Sequence, residues 1–183
     1  MEIRYRCHLP ELMRSLNLPM TAVELGVAEG LFAADLMNRG IMLLYLVDNW
    51  DYIPGQLGDG GSAFDWHLDN YRQVVDRMAV FDNREQKYKI LKGLSVEMAK
   101  EVPDETLGLV NVDCDHSYEG VSSDIQAWFP KLVMGGIMAF HDYENPAYGV
   151  KKAVTEFCTE KGYTIHLIPE GHPDDAGAYF IKY

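Results

Sequence analysis

From residue 21 onward, short apolar runs alternate with stretches in which apolar side chains recur at helical spacing. Residues 21–25 read as a first strand. The almost continuous apolar run 41–47 is a second, of the kind that suits a strand covered by helices on both faces. Residues 87–91, 109–112 and 137–140 give three more, and 163–168 with 178–182 close the chain. Between them lie helices. One runs to about Asn38, with Gly40 just past its end. The longest, 64–81, carries Leu68, Tyr71, Val75 and Met78 on one face. A short one opens at Ser95, and another places Val121, Ile125, Trp128 and Leu132 inward, with Ser117 as N-cap and Gly135-Gly136 turning the chain into the next strand. The last helix starts at Pro146, turns Val150, Val154 and Phe157 inward and stops at Gly162. Ahead of the first strand, Leu9, Leu12, Met13 and Leu16 share a helical face between Pro10 and Pro19, so residues 1–19 read as a capping helix.

Strands that alternate with helices build a parallel sheet, and the short polar connection GHPDDAG makes the last pair a hairpin. The fold expected is α/β: a doubly wound, seven-stranded, mostly parallel sheet with a reversed C-terminal strand. No repeat or linker breaks the 183 residues, so 1–183 is read as a single domain. The stretch 49–63, with Pro54 and four glycines, is expected to be a flexible loop serving as a lid or left disordered.

Charge narrows the partners. Sixteen basic against twenty-eight acidic side chains leave a net charge of −12, which repels phosphate backbones and anionic bilayers. A small-molecule partner is expected, with no nucleic acid and no membrane. Cys7, Cys114 and Cys158 match no zinc or disulfide spacing and read as small buried fillers, Cys114 being set apart by the acids on either side of it. With no apolar run near the roughly 20 residues of a membrane span, the expected location is cytoplasmic. A homo-oligomer is left open.

The polar residues that end the strands carry the chemistry. Glu24, Asp48, Gly93, the pair Asp113 and Asp115, and the pair His141 and Asp142 close the first five strands in order. Parallel strands deliver such residues to one edge, where open α/β sheets bind ligands. The first turn, E-L-G-V-A-E-G, holds Gly26 and Gly30 but lacks the three glycines of a pyrophosphate turn. An acid at Glu24 and another at Asp48 suit a ligand with an amino group at one end and ribose hydroxyls at the other.

VELGVAEG, LYLVDNW and VNVDCDHSYEGVSSDIQAWFPKLVMGGIMAFHDY together resemble the class I S-adenosylmethionine-dependent methyltransferases. More narrowly, the chain resembles a small bacterial group with D-x-D-H-S-Y-E-G followed by G-G-x-x-x-x-H-D-Y. The resemblance implies that Glu24, Gly26 and Gly30 hold the methionine end of S-adenosylmethionine and Asp48 the ribose. It sets Asn49 and Trp50 near the nucleoside, Gly93, Leu94 and Ser95 at the adenine, and Asp113 beside the donor. Metal-dependent O-methyltransferases similar to this chain hold a divalent ion where Asp113, His141 and Asp142 fall, which implies manganese or magnesium. His141 departs from the usual oxygen ligand, and imidazole suits manganese, iron or zinc better than magnesium.

The activity expected is methylation of a hydroxyl oxygen on a sugar or polyol-like molecule, with Asp115 or His116 as proton acceptor. Three alternatives stand beside it: a metal-free enzyme with a histidine or aspartate base, a nicotinamide oxidoreductase of similar sheet, and a binding module without turnover. Against the last two functions stand the missing three-glycine turn and the five ionisable groups on one rim. Asp115 can equally cap the helix that follows it. Trp50, Trp66, Tyr118 and Tyr143 are candidate substrate walls, and specificity is expected from the N-terminal helix and the loop 49–63. No role is expected for His8, His67, His166 or His172.

Overall fold

A computed structural model describes residues 3–51, 64–82, 84–169 and 176–183. The elements run α1 (Leu9–Ser15), β1 (Thr21–Leu25), α2 (Leu31–Asn38), β2 (Leu43–Asp48), α3 (Phe64–Met78), β3 (Lys87–Lys92), α4 (Ser95–Met98), β4 (Leu107–Val112), α5 (Tyr118–Trp128), β5 (Leu132–Phe140), α6 (Val150–Lys161), β6 (His166–Ile168) and β7 (Gly177–Ile181). Seven strands form one sheet in the order β3-β2-β1-β4-β5-β7-β6. The first five are parallel and β7 runs against both its neighbours, as the alternation of elements requires.

Alternate residues of the central strands feed two apolar layers. Val23, Leu25, Val110, Val112 and Phe140 face α5 and α6, where Val121, Ile125, Trp128, Val150 and Val154 pack. Ala22, Leu44, Leu46, Leu109 and Ile137 face α1, α2 and α3 on the other side. All six residues of β4 are buried, which is why its sequence shows no polar alternation.

Register positions the site. Leu25 pairs with Val47 on one side and Val112 on the other, and Val112 pairs with Phe140. The next residues, Gly26, Asp48, Asp113 and His141, therefore emerge side by side. Backbone bonds from Gly26 N–H to the Val47 carbonyl, Asp113 N–H to Leu25 and His141 N–H to Val112 extend the sheet into these loops.

Several boundaries differ from the pattern. The second strand starts at Leu43 because Ile41 closes α2: Gly40 N–H bonds Met37 O and Ile41 N–H bonds Leu36 O, a pair of bonds that ends helices. Gly135-Gly136 is not a turn but a bulge inside β5, paired to β7 through Gly135 N–H to Lys182 O and Lys182 N–H to Gly136 O. Leu132 thus belongs to β5 and not to the helix before it. In α3 the buried valine is Val74, in phase with Met78 and Phe81, while Val75 is exposed. The last helix begins at Val150; Asn145 bonds Ala147 N–H through its side chain and holds Pro146 in a turn. Among the described residues no helix is long and apolar enough to cross a membrane. Most of the predicted loop 49–63, namely 52–63, lies outside the described residues, as does 170–175 of the closing connection.

Candidate active site

At the C-terminal ends of the strands lies a cavity of about 740 Å³. Glu24, Gly26, Asp48, Asn49 and Trp50 line part of it. Gly93, Leu94 and Ser95 line another stretch of the wall, and Asp113, Asp115, His116 and His141 a third. Gly30 and Asp142 are not on that wall. The carboxylate of Asp142 instead reaches the imidazoles of His116 and His141 from behind.

Asp48 organises the donor end. Its Oδ2 accepts from Val27 N–H (2.8 Å) and Ala28 N–H (3.0 Å), and its Oδ1 from Trp50 N–H (2.8 Å). One carboxylate thereby ties the turn after β1 to the turn after β2. Ala28 and Trp50 both sit at positive φ (47° and 45°), a conformation costly for residues with a Cβ and found where surroundings impose it. Trp50 is buried, donates from Nε1 to Ala28 O at 2.9 Å and meets Tyr71 edge-on. Gly26 has a backbone reason to be glycine: a Cβ there would stand 1.8 Å from the carbonyl oxygen of Asp113. Gly30 packs against Val74 of α3, at φ 77°.

Glu24 is buried, and its Oε2 has no hydrogen-bond partner among the described residues. Burial raises its pKa well above the usual carboxylate range, with Arg6 opposing and Asp113 and Asp48 adding to the rise. An acceptor that is buried, unpaired and adjacent to a cavity fits a cationic amine. The amino group of S-adenosylmethionine is such a cation.

The second focus is a four-residue cluster. One ligand-type atom from each of Asp113, His116, His141 and Asp142 lies within 4.8 Å of the others. His141 Nδ1 is 3.3 Å from Asp113 Oδ1 and 3.2 Å from Asp142 Oδ2. His116 Nε2 is 3.3 Å and 3.4 Å from the same two oxygens, at angles that make no hydrogen bond. His116 is 5% exposed and stacks on Tyr148 with ring centroids 4.6 Å apart, so packing fixes its ring while its nitrogens lack hydrogen-bond partners among the described residues. Burial disfavours charge on both imidazoles. The two carboxylates outweigh it, raising His116 and holding His141 up to about 10. Burial likewise opposes ionisation of Asp113, but His116, His141 and Arg6 keep its carboxyl well below the usual range. Two imidazole nitrogens and two carboxylates this close together are a donor set that could hold a divalent transition metal.

Asp115 lines the cavity beside this cluster, and its Oδ1 accepts from Ser117 N–H at 3.0 Å. Ser117 caps α5 by accepting from Gly120 N–H. The carboxylate of Asp115 is thus held by the start of α5 and still borders the cavity. His116, by contrast, faces the cluster with a raised pKa, a poor position for a free base.

Several polar residues of the site were not singled out by the pattern. Arg6, on the turn Arg6–His8, bonds Asp113 Oδ2 and stacks over the ring of Phe32. Asp124, on the buried stripe of α5, accepts from Ser95 Oγ at 2.5 Å and from Cys114 Sγ at 2.9 Å, and Ser95 Oγ accepts from Trp128 Nε1. Burial pushes Asp124 and the Cys114 thiol up. Cys114 is therefore a half-buried hydrogen-bond donor, and only Cys158 is a plain core filler, Cys7 being half-buried as well. His67 and Asn70, one turn apart on α3, also line the cavity, and Asn70 Nδ2 lacks a partner among the described residues. Of the candidate aromatic walls whose side chains are described, only Trp50 reaches the cavity: Tyr118 bonds Glu156 and Tyr143 pairs with Thr155. The side chain of Trp66 lies outside the described residues.

Comparison with known proteins follows the same lines. Residues 23–143 match a family described as a methyltransferase domain. A curated relative, the uncharacterized protein y4gI of Sinorhizobium fredii (strain NBRC 101917 / NGR234), is 31% identical over 141 residues, covering 72% of this chain and 14% of that protein. The chain thus spans a small fraction of its relative's length. Among solved structures, the O-methyltransferase NovP superposes with a TM-score of 0.69 at 22% identity, over 96% of this chain and 77% of that one. CalS11, a calicheamicin methyltransferase, gives 0.68 at 20% over 96% and 77%. The S-adenosylhomocysteine-bound PaMTH1 of Podospora anserina gives 0.63 at 14% over 100% and 80%. At these identities the likeness is one of fold, and the family match carries the assignment. The chain belongs to the family of S-adenosylmethionine-dependent methyltransferase domains.

Proposed function

We propose that this domain moves the methyl group of S-adenosylmethionine to a hydroxyl oxygen of a small sugar or polyol-like molecule, with a divalent metal at Asp113, His116, His141 and Asp142. One observation carries the reading: Asp113, His116 and His141 of the four-residue cluster line the same cavity as Glu24, which keeps a buried oxygen without a partner among the described residues. Glu24 takes the donor's ammonium and Asp48 its ribose hydroxyls, which orients the sulfonium toward the cluster. The acceptor oxygen attacks the methyl carbon, the carbon–oxygen bond forms as the carbon–sulfur bond breaks, and S-adenosylhomocysteine is left. Asp115 receives the hydroxyl proton, from a position held by Ser117 N–H. The metal, when bound, lowers the pKa of a hydroxyl. Two nitrogen and two oxygen ligands favour manganese over magnesium, which prefers an all-oxygen shell. Holding both reactants in one cavity removes much of the entropic barrier to their meeting.

Hydroxyl acceptors are supported by the solved neighbours: NovP is an O-methyltransferase and CalS11 a TDP-rhamnose 3'-O-methyltransferase. The net charge of −12 also favours a small acceptor over a nucleic acid. Turnover of a panel of sugars and polyols, measured as S-adenosylhomocysteine released with manganese, with magnesium and with EDTA, tests the reading. Methylation that manganese supports and EDTA abolishes is expected. Turnover that survives EDTA returns the chemistry to a metal-free base.

A further inference from the structure

A metal is held only as well as its ligands are aimed, and a ligating imidazole has to be turned by something other than the ion. The usual device is a hydrogen bond from the ring nitrogen that faces away from the metal. His116 has no such bond among the described residues: Nδ1 and Nε2 are both buried and both lack a partner there. Its Nε2 nevertheless lies 3.3 Å from Asp113 Oδ1 and 3.4 Å from Asp142 Oδ2. The group laid against the ring is Tyr148, with centroids 4.6 Å apart and planes 16° from parallel. A flat aromatic face at this distance resists rotation of the imidazole about its Cβ–Cγ bond, the motion that swings Nε2 away from the cluster.

The segment that carries Tyr148 is tied to the cluster at both ends. It leaves Asp142 and reaches α6 at Gly149. Asn145 N–H bonds Asp142 O, and Tyr148 N–H bonds Asn145 O, so two turns follow one another. Gly149 N–H then bonds the carbonyl of His116 itself at 2.8 Å. There the segment comes so near the start of α5 that a Cβ on Gly149 would stand 2.2 Å from the backbone nitrogen of Tyr118. The connection from β5 to α6 therefore departs from one member of the cluster and closes on another, with an aromatic ring over its imidazole. Tyr148 is not on the wall of the donor cavity, so its effect has to reach the site through His116.

From this juxtaposition we infer that Tyr148 is a positioning residue of the metal site, setting the direction of His116 Nε2 with the face of its ring. The inference rests on the metal-assisted reading proposed above and extends that site to the connection between β5 and α6.

Titration of the whole chain with manganese(II) chloride, followed by loss of the free ion's electron paramagnetic resonance signal, tests it without turnover. Tyr148→Leu fills the space without a flat face and should weaken manganese about tenfold, the low end of what losing an outer-shell partner costs a metal site. Tyr148→Phe keeps the face and drops the hydroxyl, and should bind within about twofold of wild type. In a His116→Ala background, Tyr148→Leu should change affinity by less than about twofold, because the ring then has no ligand to aim. A Tyr148→Leu protein that binds like wild type, a loss undiminished by His116→Ala, or a Tyr148→Phe protein as weak as Tyr148→Leu overturns the assignment while the metal site stands. Wild-type protein that binds no manganese overturns both, and leaves the S-adenosylmethionine site untouched. Melting temperatures are taken first, and Tyr148→Met, which also lacks a flat face, replaces a leucine variant that does not fold.

Discussion

Replacing Asp48 separates the architecture of the donor turn from the ligand it serves. Three backbone N–H groups, from Val27, Ala28 and Trp50, converge on this carboxylate at 2.8–3.0 Å. Hydrogen bonds to a charged group contribute about 1.5–3 kcal/mol each. Water can reach part of this half-buried turn, and the three bonds share one acceptor group, so simple addition overshoots. A loss of about 2–4 kcal/mol is the reasonable total for Asp48→Ala. For a domain of this size, that lowers the melting temperature by roughly 5–15 °C. Asp48→Asn is isosteric but not harmless, because its NH₂ must face either Trp50 N–H or the Val27 and Ala28 pair. Turned toward Trp50 it loses one bond and meets another donor, a cost of about 1–2 kcal/mol. Urea and thermal unfolding should therefore rank wild type above D48N above D48A. If Asp48 also takes the ribose as proposed, titration with S-adenosylhomocysteine should show at least about a tenfold loss of affinity in D48N. An Asp48→Ala protein as stable as wild type would refute the reasoning, since the turn would then be held by something other than this carboxylate.

Two further outcomes follow from the same site. Gly26→Ala places a methyl group 1.8 Å from the Asp113 carbonyl at a backbone φ of 82°, so the variant should fail to fold or unfold well below wild type in a circular-dichroism melt. Glu24, raised by burial, holds a proton in the free protein at pH values below its elevated pKa, and an incoming ammonium lowers that pKa. Binding of S-adenosylhomocysteine should then release a proton and tighten as pH rises toward and through the raised pKa of the free protein, read by calorimetry in buffers of different ionisation enthalpy; Glu24→Gln should flatten the dependence. The sign for folding is the reverse: the stability that a neutral buried Glu24 contributes is full below the ordinary carboxylate pKa and is lost as pH climbs through the raised one.

The rim of acids was legible because strand ends can be read from apolar runs. A parallel sheet then brings Asp48, Gly26, Asp113 and His141 together whatever their separation in sequence. What periodicity cannot show is phase within an apolar pair or contact across the chain. Val74 and Val75 both fit the stripe of α3, and packing on Gly30 chose Val74. Arg6 meets Asp113 across 107 positions, carried there by a segment whose pattern says only that it caps the sheet. His116 stands in a turn where local sequence permits any direction; it stacks on Tyr148 with its Nε2 beside Asp113 and Asp142. Asp124 did leave a signal, an acid on the apolar face of α5 beside Val121, Ile125 and Trp128. Gly135-Gly136 reads as a turn by composition, and the partner strand that makes it a bulge lies some 45 residues away.

The proposed metal site and the proposed donor site share one cavity. Anomalous diffraction from a crystal grown with manganese and S-adenosylhomocysteine tests it directly. The expected map has one manganese peak among Asp113, His116, His141 and Asp142, with the ligand's amino group on Glu24. Clear density for the ligand in the cavity and no anomalous peak at the cluster would contradict it.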